Sequence, residues 1–186
     1  MDKEEMMGAQ VAALPTLQQP SRLGGTVQTY VWQCQGQPLK VTYETLGNGP
    51  SVLLLPAFST VSTRAELADL AQELAVRFQV VALDWPGFGD SDRQRLNYEP
   101  ELYEQFLSQF VQAHFAEPIA VVAAGHAAGY AIKLAAQRLW SCLMLVAPTW
   151  RGPLAVMGAP SSIRQGVREL VRAPILGSLL YGLNTR

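Results

Sequence analysis

Residue types that often carry out chemistry are sparse in this 186-residue chain. The two cysteines, Cys34 and Cys142, lie far apart, and neither has a histidine or a second cysteine at metal-site spacing. We predict that both are buried, reduced thiols and that the chain uses no metal or organic cofactor. The only histidines are His114 and His126. A catalytic histidine within this sequence is therefore one of these two.

Residues 125–129 read Gly-His-Ala-Ala-Gly and follow an apolar run, residues 119–123, that predicts a buried strand. Small residues on both sides of a central position suit a sharp strand-to-helix turn that lifts the central side chain off a sheet. Turns of the form G-x-S-x-G hold a nucleophilic serine in this way. Here the central residue is Ala127, and a methyl group can neither attack a carbonyl nor be activated by a base.

A second segment that directly follows a predicted strand resembles a known protein family. Residues 84–91 read Asp-Trp-Pro-Gly-Phe-Gly-Asp-Ser directly after an apolar run, and they closely resemble the D-x-P-G-x-G-x-S loop of the α/β hydrolases. Gly87 and Gly89 permit the backbone angles that such a loop requires. The turn at Ala127 resembles the G-H-S-x-G elbow of the same family. The resemblance covers about residues 25–155 and implies the esterase, haloalkane dehalogenase and epoxide hydrolase branch.

Three interpretations of Ala127 are open: a naturally inactive relative, an engineered knockout, or a turn unrelated to the family. The loop at Asp84 argues against the third. Ala128 favours the first, because active enzymes often have Met, Gln or Gly there and an engineer would change only one residue. We favour natural loss of the nucleophile.

The resemblance also implies an oxyanion hole formed by two backbone N–H groups, those of Phe58 and Ala128. The family usually has His-Gly before the first donor, whereas this chain has Pro56 and Ala57. The family places its catalytic histidine after the final strand, and neither histidine of this chain lies there. No catalytic residue is therefore assigned.

The remaining polar candidates have structural interpretations. We expect His114 to be a partly exposed surface residue and His126 to pack beside the sheet. Asp84, Asp90 and Asp92 are interpreted as loop-capping groups rather than as a catalytic acid.

Hydrophobic patterns predict the elements that position these junctions. Two segments rich in β-formers, 27–34 and 39–45, are separated by a hairpin-sized turn. Helices are expected after a capping box at residues 63–66, at Pro100 and near Ala128. The predicted fold class is α/β: an α/β-hydrolase-like, mostly parallel sheet with helices on both faces and an N-terminal antiparallel hairpin. Continuous apolar runs predict its buried parallel strands at 51–55, 78–83, 119–123 and 142–146.

The chain divides into three parts on this basis. Residues 1–22 are predicted to be a loose leader, residues 23–150 a partial α/β-hydrolase core, and residues 151–186 the start of a helical cap. Family members continue with two more strands that bear the acid and the histidine, so we expect a C-terminally truncated member with an unpaired last strand. The apolar stretch 173–183 is interpreted as a cap helix, with contact to a membrane surface or a partner helix as the alternative.

Bulk composition limits the partners. The formal net charge is −1, with 49% hydrophobic and 16% charged residues, which favours one globular domain and offers no basic face for nucleic acid. No run approaches the roughly 20 apolar residues of a transmembrane segment. The acidic start is unlike a signal or transit peptide. We therefore expect a cytoplasmic protein.

Two functions are compatible with these observations. The first is a catalytically impaired or inactive homologue that binds a small apolar ligand, or a protein partner, under its cap. The alternative is an active hydrolase of ester- or halide-type small apolar substrates, with catalytic residues partly outside this chain. Ala127 and the unassigned base favour the first.

Overall fold

The computed structural model describes residues 20–59 and 61–149. Six strands and three α-helices lie in these ranges, and a short 3-10 helix, Arg64–Leu67, leads directly into the first α-helix. The helices are α1 (Ala68–Ala75), α2 (Pro100–His114) and α3 (Ala127–Ala135). The strands are β1 (Thr26–Cys34), β2 (Gln37–Leu46), β3 (Ser51–Leu55), β4 (Gln79–Leu83), β5 (Ile119–Ala124) and β6 (Trp140–Val146).

The strands form one sheet in the order β1-β2-β4-β3-β5-β6. The pairs β1–β2 and β2–β4 are antiparallel, whereas β4, β3, β5 and β6 run parallel to one another. The hairpin turns at Gln35 and Gly36, whose φ angles of 49° and 79° match the two left-handed residues of a tight hairpin turn. The predicted fold class, a mostly parallel sheet with an N-terminal antiparallel hairpin, is therefore confirmed.

Helices cover both faces of the sheet, and β3 shows how the core is divided. Leu53 packs in one cluster with Phe106 of α2 and Leu134 of α3. Leu54, the next residue, points to the opposite face and packs in a second cluster with Ala71 of α1. Because both faces are covered, the strand needs apolar residues at consecutive positions, which explains its continuous apolar run.

The helix starts differ in detail from the prediction. The Thr63 hydroxyl accepts a hydrogen bond from the Ala65 N–H at 3.2 Å and so caps the 3-10 helix. In a capping box the glutamate would accept from the N–H of the cap residue, here Thr63. That part of the prediction is wrong, because the Glu66 carboxylate accepts from the Ala57 N–H of the loop after β3. The start of α2 at Pro100 is confirmed, where the missing proline N–H removes no helical hydrogen bond.

Strand β6 departs from the prediction of a strand buried on both faces. Within the described residues it pairs with β5 alone. Cys142, Met144 and Val146 lie on one face and are exposed, Met144 at 57%. The prediction of two buried cysteines is therefore wrong for Cys142, while Cys34 is buried. No helix of the described part is long and apolar enough to span a membrane. The segment 173–183 lies outside that part.

The carboxyl ends of the four parallel strands meet at one edge of the sheet. Because β3 lies between β4 and β5, the chain leaves β3 toward one side and leaves β5 toward the other. Such a reversal opens a crevice, where open α/β sheets usually bind ligands. The predicted site residues Phe58, Ala127 and Ala128 follow these two strands.

Candidate functional site

The turn after β5 closes against the neighbouring strand ends. Gly125 has a φ of 54°, a left-handed angle that a residue without Cβ adopts at little cost. The Gly125 N–H donates to the Val146 carbonyl at 2.9 Å, and the Gly125 carbonyl accepts from the Thr149 N–H at 3.2 Å. A Cβ on Gly125 would lie 3.0 Å from the Cβ of Ala57. This glycine therefore allows the ends of β3, β5 and β6 to approach closely.

Ala127 follows that turn as the first residue of α3, and it is fully buried. His126 before it already has nearly helical angles, with φ −69° and ψ −26°. The left-handed backbone of this turn therefore lies at Gly125 and not at the central residue. Glycine avoids the Cβ contact that costs other residues about 1–2 kcal/mol in this region. The predicted nucleophile position therefore holds a methyl group in helical geometry.

The two predicted oxyanion donors have different surroundings. The Phe58 N–H has no hydrogen-bond partner among the described residues, whereas the Ala128 N–H donates to the Gly125 carbonyl at 3.3 Å. The adjacent Ala57 N–H donates to the carboxylate of Glu66. An oxyanion that formed beside Phe58 would lie near this negative charge, which disfavours it.

The two histidines differ in their surroundings. His126 precedes α3, is half-buried and makes no side-chain hydrogen bond to the helix start. His114 ends α2 and stacks on Phe110 with ring centroids 4.1 Å apart. It also meets Tyr30 and Tyr43 edge-on at 5.0 and 4.9 Å. His114 is partly exposed, as predicted, but it packs among aromatic rings of the hairpin instead of lying free on the surface.

Five aromatic rings meet where the loops after β3 and β4 face α2 and α3. Trp85 and Tyr103 are buried, whereas Phe58, Phe88 and Tyr130 are half-buried. We call these five residues the aromatic surface. The Phe58 ring lies at its centre, with centroid distances of 4.5 Å to Trp85, 4.7 Å to Tyr103, 5.1 Å to Tyr130 and 5.4 Å to Phe88.

Two hydrogen bonds fix the buried rings of the aromatic surface. The Trp85 indole N–H donates to the Pro56 carbonyl at 2.9 Å, which ties the loop after β4 to the loop after β3. The Tyr103 hydroxyl donates to the Pro86 carbonyl at 3.3 Å. Buried Trp and Tyr rings usually satisfy their polar atoms in this way.

The Tyr130 hydroxyl has no hydrogen-bond partner in the part of the chain that the structure describes. Burial raises the pKa of Tyr130, and the charges of Glu104 and Glu101 raise it further. The hydroxyl therefore keeps its proton at neutral pH and is available as a donor. Sequence reasoning did not single out Tyr130. The available signal was its spacing of three residues from Ala127, which places both on one side of a helix.

A buried ionic network lies beneath the loop at residues 84–91. Arg64 is fully buried: its Nε donates to Glu44 at 3.0 Å, and its Nη1 donates to Asp84 and, at 3.0 Å, to Asp90. Asp90 also accepts two hydrogen bonds of 2.8 Å from Arg22. Such multiple charge-assisted contacts suit the planar guanidinium group. The network joins the loop to the 3-10 helix and to the chain before β1.

Glu44 is the most fully hydrogen-bonded member of this network, and sequence reasoning missed it. Burial opposes its ionisation, but the hydrogen bonds that it accepts lower its pKa from the ordinary 4.5 to about 2. The donors include Ser21 and Arg22, at the end of the predicted leader. It accepts from Ser21 Oγ at 2.6 Å, from the N–H groups of Arg22, Leu23 and Gly25 at 2.9, 3.0 and 2.8 Å, and from Arg64 Nε.

The three aspartates of this region have structural partners, in line with their interpretation as loop-capping groups. Asp84 accepts from the N–H groups of Arg64 and Asp90 at 2.7 and 2.9 Å, and Asp92 accepts from the Lys40 N–H at 2.9 Å. Among the described residues, no group of three or more His, Cys, Asp or Glu side chains could hold a metal ion.

Comparison with known proteins assigns the family. Residues 52–184 match a model of the Alpha/beta hydrolase family. The chain belongs to this family. The matched range includes the loop at residues 84–91 and the turn at Ala127, which carried the resemblance. It also includes the loop after β3, where Pro56 and Ala57 depart from the family pattern.

Solved structures share this fold at low sequence identity. A probable hydrolytic enzyme from Pseudomonas aeruginosa PAO1 gives a TM-score of 0.64 at 20% identity over 85% of this chain and 53% of its own. An epoxide hydrolase from Vigna radiata gives a TM-score of 0.63 at 18% identity, over 85% of this chain and 53% of its own. Cfl2 from Burkholderia cenocepacia gives a TM-score of 0.63 at 21% identity, over 91% of this chain and 59% of its own. The chain thus spans between half and three fifths of these proteins. No curated protein matches the sequence.

Proposed function

We propose that this chain is a catalytically impaired or inactive member of the α/β-hydrolase family that binds a small apolar ligand at the aromatic surface. The observation that carries the proposal is the methyl group of Ala127 at the nucleophile position. Covalent catalysis in this family needs a hydroxyl, thiol or carboxylate there. Ala127 is also buried in helical geometry, whereas a nucleophile elbow exposes its central side chain above the sheet.

Electrostatics near the oxyanion position supports the same proposal. The Glu66 carboxylate accepts the Ala57 N–H, one residue before Phe58. A tetrahedral intermediate concentrates negative charge on one oxygen, and preorganised donors without nearby anions stabilise it best. The carboxylate therefore favours binding of an uncharged group at this loop over stabilisation of an oxyanion.

The aromatic surface supports the binding part of the proposal. It lies beside the reversal between β3 and β5, where open α/β sheets usually bind ligands. Three of its five rings are half-buried, so they present apolar area to a ligand. Ligand sites are typically apolar and aromatic with a few placed polar groups. The residues predicted to form a cap, 151–186, lie outside the described part and do not enter this argument.

Binding of 2-ethylnaphthalene, measured by equilibrium dialysis, tests the proposal. We expect saturable binding to the chain and an affinity lower by about 5-fold or more in Phe58→Ala, because the central ring of the surface is lost. Phe115→Ala is the matched control, since Phe115 is also half-buried but lies at the end of α2, outside the aromatic surface. Circular dichroism establishes that each variant is folded.

The outcomes separate the proposal from its alternative, an active hydrolase of ester- or halide-type small apolar substrates with catalytic residues partly outside this chain. Absence of saturable binding, or equal affinities of Phe58→Ala and the unmodified chain, would contradict ligand binding at the aromatic surface. Turnover of an ester by the unmodified chain would favour the alternative.

A further inference from the structure

One polar group of the aromatic surface has no hydrogen-bond partner within residues 20–59 and 61–149. The two buried members of this surface are hydrogen-bonded, since the Trp85 indole N–H donates to the Pro56 carbonyl and the Tyr103 hydroxyl to the Pro86 carbonyl. The Tyr130 hydroxyl has no partner among the described residues. Tyr130 is only half-buried, and its hydroxyl is not a buried, unsatisfied atom, so water can bond to it in the free protein. A ligand with an acceptor atom would replace that water and keep the hydrogen bond in apolar surroundings.

The charges around Tyr130 limit the kind of ligand. Glu101 and Glu104 lie on α2 close enough to raise the pKa of Tyr130. Lys133 pairs with Glu104 and also lies within electrostatic range of Glu101, so one ammonium group faces two carboxylates. On the other side of the surface, Glu66 holds the Ala57 N–H next to Phe58. An anionic ligand would meet negative charge on both sides, so a neutral one is favoured.

The position of Tyr130 relates this donor to the predicted site. It lies in α3 three residues after Ala127, and its ring is 5.1 Å from that of Phe58 and 5.8 Å from that of Tyr103. Residues three apart share a side of a helix. The Tyr130 ring is therefore fixed by its contacts with Phe58 and Tyr103. A ligand that stacks on Phe58 would also touch the Tyr130 ring.

We infer that the ligand of this surface is an uncharged aromatic molecule with a hydrogen-bond acceptor, such as a ketone or ester carbonyl, and that the Tyr130 hydroxyl donates to that acceptor. The inference rests on the proposed function, because it names the ligand class of the same surface. The ligand then stacks on the Phe58 ring, and the hydrogen bond from Tyr130, which we call the polar anchor, fixes its orientation.

Three probes of similar shape test the inference by equilibrium dialysis at pH 7: 2-acetylnaphthalene, 2-ethylnaphthalene and 2-naphthoate. The first has a neutral acceptor, the second has none, and the third is an anion. We expect the unmodified chain to bind 2-acetylnaphthalene about 5-fold more tightly than 2-ethylnaphthalene, the gain of one hydrogen bond. The 2-naphthoate anion should bind more weakly than the ketone.

Tyr130→Phe removes the hydroxyl and keeps the ring, so it should bring the affinities for 2-acetylnaphthalene and 2-ethylnaphthalene to within about 2-fold of each other. Tyr43→Phe is the matched control. Tyr43 is also half-buried and its pKa is raised by burial, but it packs on Phe110 and His114 at the hairpin. This variant should retain the preference of the unmodified chain.

The outcomes distinguish this inference from the function on which it rests. If 2-ethylnaphthalene and 2-acetylnaphthalene bind the unmodified chain equally, ligand binding stands and the polar anchor is wrong. If Tyr130→Phe still prefers 2-acetylnaphthalene over 2-ethylnaphthalene, the polar anchor is likewise wrong while ligand binding stands. Binding of 2-naphthoate as tight as that of the ketone would overturn the neutral ligand class. If no probe binds, the proposed function and this inference are both wrong.

Discussion

Replacing Glu44 by glutamine tests whether the buried network requires a negative charge. The variant keeps the size of the side chain and converts one carboxylate oxygen to an NH2 group. Glu44 Oε1 accepts three hydrogen bonds, and Oε2 accepts two, from the Arg22 N–H and Arg64 Nε. In its better orientation, the amide oxygen keeps the first three and the NH2 group faces the other two donors.

The structure gives two routes to the size of the effect. A buried donor, Arg64 Nε, and a part-buried donor, the Arg22 N–H, lose their acceptor, and the cost is about 1–3 kcal/mol for a buried donor. Independently, a pKa lowered from 4.5 to about 2 corresponds to about 3 kcal/mol of stability at neutral pH. We therefore expect Glu44→Gln to lower the free energy of unfolding by about 3 kcal/mol or more at pH 7.

The effect should depend on pH in one direction. Because the folded-state pKa of Glu44 lies below the ordinary value, its contribution is complete above pH 4.5 and is lost as the pH falls from 4.5 toward about 2. Urea unfolding at pH 7 and about pH 2.5, followed by tryptophan fluorescence, measures the difference between chain and variant at each pH. The difference should be smaller at the lower pH.

Glu104→Gln is the control for this experiment, since Glu104 pairs with the exposed Lys133 on the helix surface. Surface pairs of this kind contribute little, so the urea midpoint should change much less than in Glu44→Gln. A loss below about 1 kcal/mol in Glu44→Gln, or a loss that is the same at both pH values, would show that the network does not require the Glu44 charge.

Three further predictions concern single positions. Ala127→Ser alone should hydrolyse p-nitrophenyl acetate no faster than Ala127→Gly, because a serine needs an adjacent base; enzyme-like turnover would show that a base is present. Gly47→Ala should lower the urea midpoint far more than Gly36→Ala. Both glycines have a positive φ, which costs alanine about 1–2 kcal/mol. Only a Cβ on Gly47 would also lie 2.5 Å from two backbone oxygens. Equal urea midpoints of the two variants would contradict this prediction. Light scattering should show self-association through β6 that Met144→Lys reduces. Val76→Lys, at an exposed hydrophobic residue outside β6, should not reduce it; a monodisperse 20.3 kDa monomer would contradict the prediction.

The elements that the sequence predicted well are those whose signal is local. The apolar run at 51–55 coincides with β3 because that strand is covered on both faces, so burial appears directly in consecutive residues. The loop at residues 84–91 was found from its glycines. Gly89 has a φ of 52°, and a Cβ there would collide with the Asp84 carboxylate, so the backbone itself fixes the residue type.

The parts that the sequence did not predict depend on contacts between distant segments. Glu44 alternates with apolar neighbours in β2, and Arg64 lies in a capping pattern, so both have the spacing of exposed residues. Their burial follows only when residues 21–25 and the loop at Asp90 close over them. The aromatic surface likewise combines two loops and two helices, and no sequence period links Phe58 to Tyr130.

We propose that Ala127 leaves this hydrolase-family chain without a residue for covalent catalysis at the predicted nucleophile position. The rate of p-nitrophenyl acetate hydrolysis by the purified chain, compared with that of Ala127→Gly at the same concentration, tests this proposal. Loss of a methyl group removes no reactive atom, so we predict equal rates for the two proteins. Turnover by the unmodified chain clearly above that of Ala127→Gly would contradict the account.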